Sequence, residues 1–292
     1  MPVREEDRAE AGFARISDGL DALEDQPTQR RRIDPVAIVA PIVVVVAFLG
    51  IWQAIWASAI EPEYVIPSPS TVGGRLWVMV SDGTAWTATW TSLRRGALGF
   101  LLALVIGTAL GLVISHVSFL RKGFRPILSA LQSMPSVAWV PFAVLLLGLN
   151  PSALYVVILL GAVPSIANGL MGGLDQTPPI LRRAGTVLGA EGLSLIRHVL
   201  VPAALPTYLT GLKQGWAFSW RSLMAAELIV NSPKLGTGLG QVMQNGRDMS
   251  DMPTVIAAMA LILCVGIAVE LGVFAPIERT ILRNRGLAPT GV

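Results

Sequence analysis

The chain has 292 residues, 53% of them hydrophobic and only 14% charged, with a mean hydropathy of +0.62. Soluble domains carry about 25% charged residues, so this composition excludes an ordinary soluble enzyme. Two histidines, His116 and His198, and one cysteine, Cys264, leave little material for a metal site and none for a disulfide within the chain.

The net charge of +3 is unevenly placed. Residues 1–34 hold six Arg against nine Asp/Glu, whereas residues 35–292 hold sixteen Lys/Arg against ten acids. The first stretch lacks apolar periodicity and reads as a polar, disordered tail. It ends on Arg30-Arg31-Arg32, which beside a membrane span reads as a topology signal rather than a nucleic-acid patch.

A helix needs about 20 apolar residues to cross the hydrocarbon core of a bilayer. The first such run covers 36–60 and holds no charge. Ala57-Ser58-Ala59 resembles a leader cleavage site, but the run is too long for a leader and follows a long polar tail, so a retained span is predicted. Glu61 to Ser70 is a proline-punctuated extended segment, and residues 71–95 read as amphipathic and surface-lying. The second span is 96–115, where Gly107 and Gly111 have the spacing that lets helices approach closely in lipid.

A short basic loop follows, with Arg121, Lys122 and Arg125. The third apolar stretch, 126–149, is interrupted by Pro135 and Pro141, and the fourth, 152–174, contains Pro164. Proline removes a backbone donor, so both are predicted to be bent or discontinuous. Residues 175–202 are polar, longer than a turn requires, and bounded by Pro178-Pro179 and Pro202. A fifth span, 203–230, a polar loop, 231–252, and a sixth span, 253–274, precede a basic tail with Arg279, Arg283 and Arg285.

Six spans place both termini on one side. From Arg30 onward that side carries twelve Lys/Arg and the other five, namely Arg75, Arg94, Arg95, Lys234 and Arg247. The positive-inside rule therefore predicts a multi-pass cell-membrane protein with both termini and the 175–202 loop in the cytoplasm. The expected organisation is a cytoplasmic tail, 1–34, followed by an all-α membrane domain, 35–292.

No Gly-x4-Gly-Lys-Ser/Thr loop is present, nor His-Glu-x-x-His or Gly-x-Ser-x-Gly. Gly236, Gly238 and Gly240 alternate, but in a predicted external loop rather than between a strand and a helix. With no catalytic residue and no metal ligand set, the chain reads as a conduit whose energy source lies on another polypeptide. An ion-coupled secondary transporter of a small anion is the alternative. The two halves carry no convincing repeat, and Asp/Glu is absent from the first four spans.

The 175–202 segment carries a specific resemblance. Arg183-Ala184-Gly185, three residues, Gly189, nine residues, then Val199-Leu200-Val201-Pro202 resembles the coupling loop of ABC importer permeases. That family's pattern is Glu-Ala-Ala, three residues, Gly, nine residues, Ile-x-Leu-Pro. Arg183 stands where Glu is usual and Gly185 where the second Ala is usual. The resemblance covers about residues 60–285 and is nearest to the sulfonate, taurine and nitrate group. It is carried further by Pro67-Ser68-Pro69-Ser70-Thr71-Val72, by the run from Leu131 to Pro141, by Pro164 with Asn168, by Leu205-Pro206 and by Ala226-Glu227.

The resemblance implies a type I importer permease fold, six transmembrane helices with a cytoplasmic coupling helix between the fourth and fifth. It implies a coupling loop built on Arg183, Ala184, Gly185, Gly189, Ala190, Val199, Val201 and Pro202. Gly189 would make the turn after the helix and Pro202 would set the start of the fifth span. The implied partners are cytoplasmic ATPase subunits that bind ATP and Mg, a second permease copy, an extracytoplasmic substrate-binding protein and the lipid bilayer. The implied cargo is a small anion, aliphatic sulfonate before taurine and nitrate.

Among the ionisable residues within predicted spans Lys213, Arg221 and Glu270 stand out, and each needs a reason at about 2.5–3.5 kcal/mol on insertion scales. Arg221 falls in the outer part of the fifth span, with Gln214 seven residues before it on the same face. It could pair with an anionic cargo or with Glu227 or Glu270. The pathway candidates are Arg221, Gln214, Ser222, Asn168 and Glu227.

Overall fold

The computed structural model describes residues 35–230 and 236–285, and the tail 1–34 and Lys234 lie outside them. Among the described residues all regular structure is helical. The chain divides into two units, of which the smaller holds residues 35–48 among those described and the larger begins at Leu49.

Helix α1 runs Pro35–Ala57 without a charge, about 35 Å long at 1.5 Å per residue. In the larger unit its Trp52 indole donates to the carbonyl of Pro67 at 3.1 Å. Helix α2, Pro69–Ser81, starts where Ser68 Oγ accepts the Thr71 N–H and Pro69 fills the first helical position. Asp82 and Gly83 then turn the chain, with the Asp82 carboxylate accepting the Thr84 N–H at 2.8 Å. That bond holds the exposed Asp82 carboxyl below its ordinary value. Helix α3 follows as Thr84–His116. Residues 71–95 therefore do not form one surface segment, because Thr84 onwards is the continuous start of the long helix that contains the predicted second span.

Helix α4, Ser118–Ser133, and helix α5, Trp139–Leu147, are joined through a 3-10 turn at Ser136–Ala138. The pair is bent by 96°. Met134 precedes Pro135 and is extended, as a residue before proline prefers, so the predicted break in 126–149 falls at Pro135. Helix α6, Pro151–Gln176, runs through its buried Pro164 without interruption. Helix α7, Pro179–Val187, α8, Gly192–Leu195, and a π-turn, Ile196–Leu200, lead into α9, Val201–Ile229. Helix α10 is Leu239–Asp248, and α11, Met252–Val269, continues through a π-turn, Glu270–Phe274, into α12, Ala275–Arg283.

The core is the packing of α3 and α9 on α6. On α3, Gly99, Gly107 and Gly111 are spaced along one face, and a Cβ there would stand 2.7–3.1 Å from Ile158, Ile166 or the Ala167 carbonyl of α6. The Gly107/Gly111 pair therefore marks a real contact. Gly169 of α6 and Gly211 of α9 meet more closely still, a Cβ on Gly169 lying 2.5 Å from the Cα of Gly211. Only glycine at both positions permits that approach, and close backbone packing is what holds helices together where lipid removes the hydrophobic drive.

Among the described residues four helical stretches have the length and hydropathy to cross a membrane: Val39–Ala57, Thr84–His116, Pro151–Asp175 and Met252–Arg283. The bent α4–α5 pair makes a fifth if counted as one broken span. Helix α9, with 29 residues, is long enough at about 43 Å, but it carries Lys213, Arg221 and Glu227 and does not reach the apolar threshold. Length and hydropathy thus give four to five spans where the sequence predicts six.

Candidate functional site

Three kinds of feature stand out: an exposed helix after α6, a polar groove along α9, and two charge clusters, one of which borders the groove through Glu278.

Helix α7 holds Arg183, Ala184 and Gly185, and of its residues only Gly185 is buried. A Cβ at Gly185 would stand 2.7 Å from Leu195 and 3.0 Å from Val199. Glycine in place of the usual alanine thus lets α7 sit directly on the π-turn before α9. The helix closes with Gly189 at φ +82°, where the Gly189 N–H donates to Thr186 O at 3.0 Å and the Ala190 N–H to Gly185 O at 2.9 Å. This is the left-handed cap that glycine favours. Val199 lies in the π-turn, and Val201 and Pro202 occupy the first turn of α9. Ile180, Val187 and Leu188 stay exposed, the last two at 87% and 86%. Arg183 is exposed and makes no ion pair among the described residues.

On α9, Thr210, Gln214, Ala217 and Arg221 are the exposed positions between Thr210 and Arg221. Their spacing of four, three and four keeps them on one face. Gln214 and Asn168 share an open groove of about 460 Å³ with Gln132, Ser165, Thr207, Thr210 and Glu278. Ser165 Oγ donates to Gln214 Oε1 at 3.4 Å. The groove is lined by amides and hydroxyls, with Glu278 its one charged group.

Arg221 lies two turns beyond Gln214 on the same face. Its Nε donates to Ala217 O at 3.1 Å, and the guanidinium stands 4.7 Å from the Phe218 ring centroid. No carboxylate pairs with it among the described residues, neither Glu227 nor Glu270. Ser222 is buried, its Oγ has no hydrogen-bond partner among the described residues, and it faces α6 at Gly161. The structure therefore brings Asn168 and Gln214 together, continues their face to Arg221, and turns Ser222 and Glu227 into the protomer.

Glu227 is fully buried and pairs with Arg95 of α3 at 2.7 Å. Its second oxygen accepts Ser92 Oγ at 2.7 Å and the Gly240 N–H at 3.1 Å. Ser92 in turn accepts the Leu239 N–H at 2.8 Å, and Arg95 donates to Gly236 O at 3.1 Å. A Cβ on Gly238 or Gly240 would come within 2.4–2.6 Å of Glu227. The alternating glycines are therefore where the backbone after α9 folds over a buried carboxylate. Sequence reasoning missed Arg95, since it counted only as a loop charge, and no spacing rule connects residues 132 positions apart.

Lys213 is bound by Glu270 at 2.7 Å and Glu278 at 2.9 Å. Eight residues on a regular α-helix would set these two acids about 80° apart. The π-turn at Glu270–Phe274 takes up about one residue and reduces this to about 20°. The helix irregularity thus presents two carboxylates to one lysine, and Glu278 also borders the groove. Outside the spans, Asp251 caps α11 through the Thr254 N–H and is 3.4 Å from Arg75. Burial pushes its carboxyl up, but the Thr254 hydrogen bonds and Arg75 outweigh this and hold it below the ordinary value.

A family profile described as "Binding-protein-dependent transport system inner membrane component" matches residues 99–281. That segment contains α6, α7, α9, the Lys213–Glu270–Glu278 cluster and Glu227, whose partner Arg95 lies just before it. The chain is 27% identical over 257 residues to a nitrate import permease of Synechocystis sp., covering 82% of this chain and 90% of that one. It is 28% identical over 214 residues to a taurine transport system permease of Escherichia coli, covering 73% and 76%. A riboflavin transport system permease of Chloroflexus aurantiacus is 28% identical, covering 76% and 82%. Among solved structures, a chain of the MetNI methionine ABC transporter in inward-facing conformations is similar in fold, with TM-score 0.57 and 21% identity, covering 70% of this chain and 96% of that one. An all-helical, multi-pass membrane chain with this profile over most of its length belongs to the binding-protein-dependent transport system inner membrane components, the permease subunits of ABC importers.

Proposed function

We propose that this permease subunit forms the translocation path for a small anion, with an aliphatic sulfonate favoured and taurine and nitrate next. The reading rests on the exposed stripe of α9, which runs from Thr210 through Gln214 to a guanidinium with no carboxylate partner among the described residues. A planar cation beside neutral hydrogen-bonding groups is suited to sulfonate, carboxylate or nitrate oxygens. The nitrate and taurine relatives support the anionic class, and the riboflavin relative marks how far cargo varies at this level of identity. In this reading α9 is a span and α4–α5 a broken one, making six with both termini cytoplasmic.

Helix α7 is then the coupling helix. Its exposed Val187 and Leu188 offer an apolar surface to an ATPase subunit, which binds ATP and Mg while this chain remains non-catalytic. Two copies of the permease, two ATPases and an extracytoplasmic binding protein complete the transporter. Arg221→Ala is expected to lower uptake at least tenfold while the complex still assembles, matching the loss of one charge-assisted bidentate contact of about 1.5–3 kcal/mol. Radiolabelled sulfonate uptake, with co-purification of the ATPase as the assembly control, checks this. Uptake at wild-type rate and apparent affinity would remove Arg221 from the path.

A further inference from the structure

Helix α4 is held to the rest of the chain along one side. Leu128 is buried with Ile114, Ala167 and Met171, and Arg121 and Arg125 both reach Asp175 of α6. At 100° per residue, Ser118, Lys122, Arg125 and Ser129 fall within about 60° of the helix circumference. With Arg121 and Pro126 they line a shallow surface pocket of about 480 Å³. Two of the three cations, Arg121 and Arg125, share the Asp175 carboxylate, and Lys122 has no acidic partner among the described residues.

A second exposed strip lies beside the basic one. Phe119 and Ile127 are 84% and 54% exposed, and they share about 80° of the circumference with Gly123 and Ala130. Val113 near the end of α3 and Val117 between α3 and α4 are exposed as well. Helix α3 has 33 residues, about 50 Å at 1.5 Å per residue, against a hydrocarbon core of about 30 Å. Helix α4 begins two residues after it ends, so its first turns stand at headgroup level. A basic face next to an apolar one at that depth is the arrangement of an interfacial helix on anionic lipid. An acidic protein surface would match the charge but would leave Phe119 and Ile127 without a use.

We propose that the first two to three turns of α4 form a binding site for an anionic phospholipid. Lys122 and Arg125 take the headgroup phosphate with the Ser118 and Ser129 hydroxyls, and an acyl chain lies along Phe119 and Ile127. Each basic side chain near an anionic surface contributes about 1 kcal/mol, roughly a fivefold change in occupancy.

The test uses the assembled transporter purified from cells, titrated with phosphatidylglycerol or phosphatidylcholine and read by native mass spectrometry. Phosphatidylglycerol should be retained in preference to phosphatidylcholine, and Lys122→Gln should cut its retention about fivefold. Lys122 is exposed and carries no packing role, so the variant is expected to fold, and Phe119→Ser should weaken retention of either lipid. Equal retention of the two lipids, or unchanged phosphatidylglycerol retention by Lys122→Gln, would overturn the site. Loss of the ATPase from Lys122→Gln with lipid retention unchanged would also overturn it, assigning the face to a protein partner.

Discussion

At the scale of single residues, the charges within the membrane domain divide by whether they are matched. Glu227 is a buried carboxylate answered by Arg95, Ser92 and a backbone N–H. Removing one partner of such a pair leaves an uncompensated buried charge, at about 3–5 kcal/mol. Glu227→Leu and Arg95→Met are each expected to lower the melting temperature of the purified complex markedly. The double variant should recover much of the loss, because apolar groups of similar size replace a buried pair at little net cost. Additive losses in the thermal scans would mean that the pair is not a coupled unit. Arg221, by contrast, is spent among the described residues on its own helix and the Phe218 ring, which is why it remains the residue to test for cargo.

At the scale of elements, α7 leaves every residue but Gly185 uncovered. Its packing is concentrated at Gly185, and its left-handed cap at Gly189 fixes where it ends. The proposed coupling role predicts that Val187→Asp with Leu188→Asp reduces ATPase co-purification and uptake at least tenfold, since a few buried apolar anchors dominate most interfaces. The same variant should leave the melting temperature of the isolated permease within a few degrees, both side chains being more than 80% exposed. A fall in stability with ATPase binding retained would make α7 structural. Legibility in the sequence was uneven here. The Gly189-to-Pro202 spacing located the loop, because a turn glycine and a helix-start proline act through local backbone geometry. The split of 71–95 at Gly83 was not legible, since Thr84–Arg95 is polar enough to pass for a surface segment until its packing on α9 and α10 is known.

At the scale of the whole molecule, the proposed topology places the α7 loop and the α10 region on opposite faces of the membrane. Single cysteines introduced by Arg183→Cys and Met249→Cys, in a Cys264→Ser background, test this directly. An impermeant maleimide should label the Met249 position in intact cells and the Arg183 position only after lysis. The reverse pattern would invert the orientation. Both sites are exposed, Met249 at 81%, so reagent access is limited by the membrane rather than by packing.

By itself the sequence determined that this chain belongs in a bilayer, where most of its apolar helices run, and where a long polar segment separates two of them. Those features are local: hydropathy sums over about 20 neighbouring residues, and caps and turns depend on a few. Only the tertiary structure decided which charges answer one another. Arg95 with Glu227 and Lys213 with Glu270 and Glu278 are joined by helix packing, and in the second case by a π-turn that no composition rule exposes. The same packing separated the five sequence candidates, enclosing Ser222 and Glu227 and leaving Asn168, Gln214 and Arg221 in or beside the groove face. Pairing across more than a hundred residues is set by how glycines let α3, α6 and α9 approach, and that distance is written in the fold rather than in any segment.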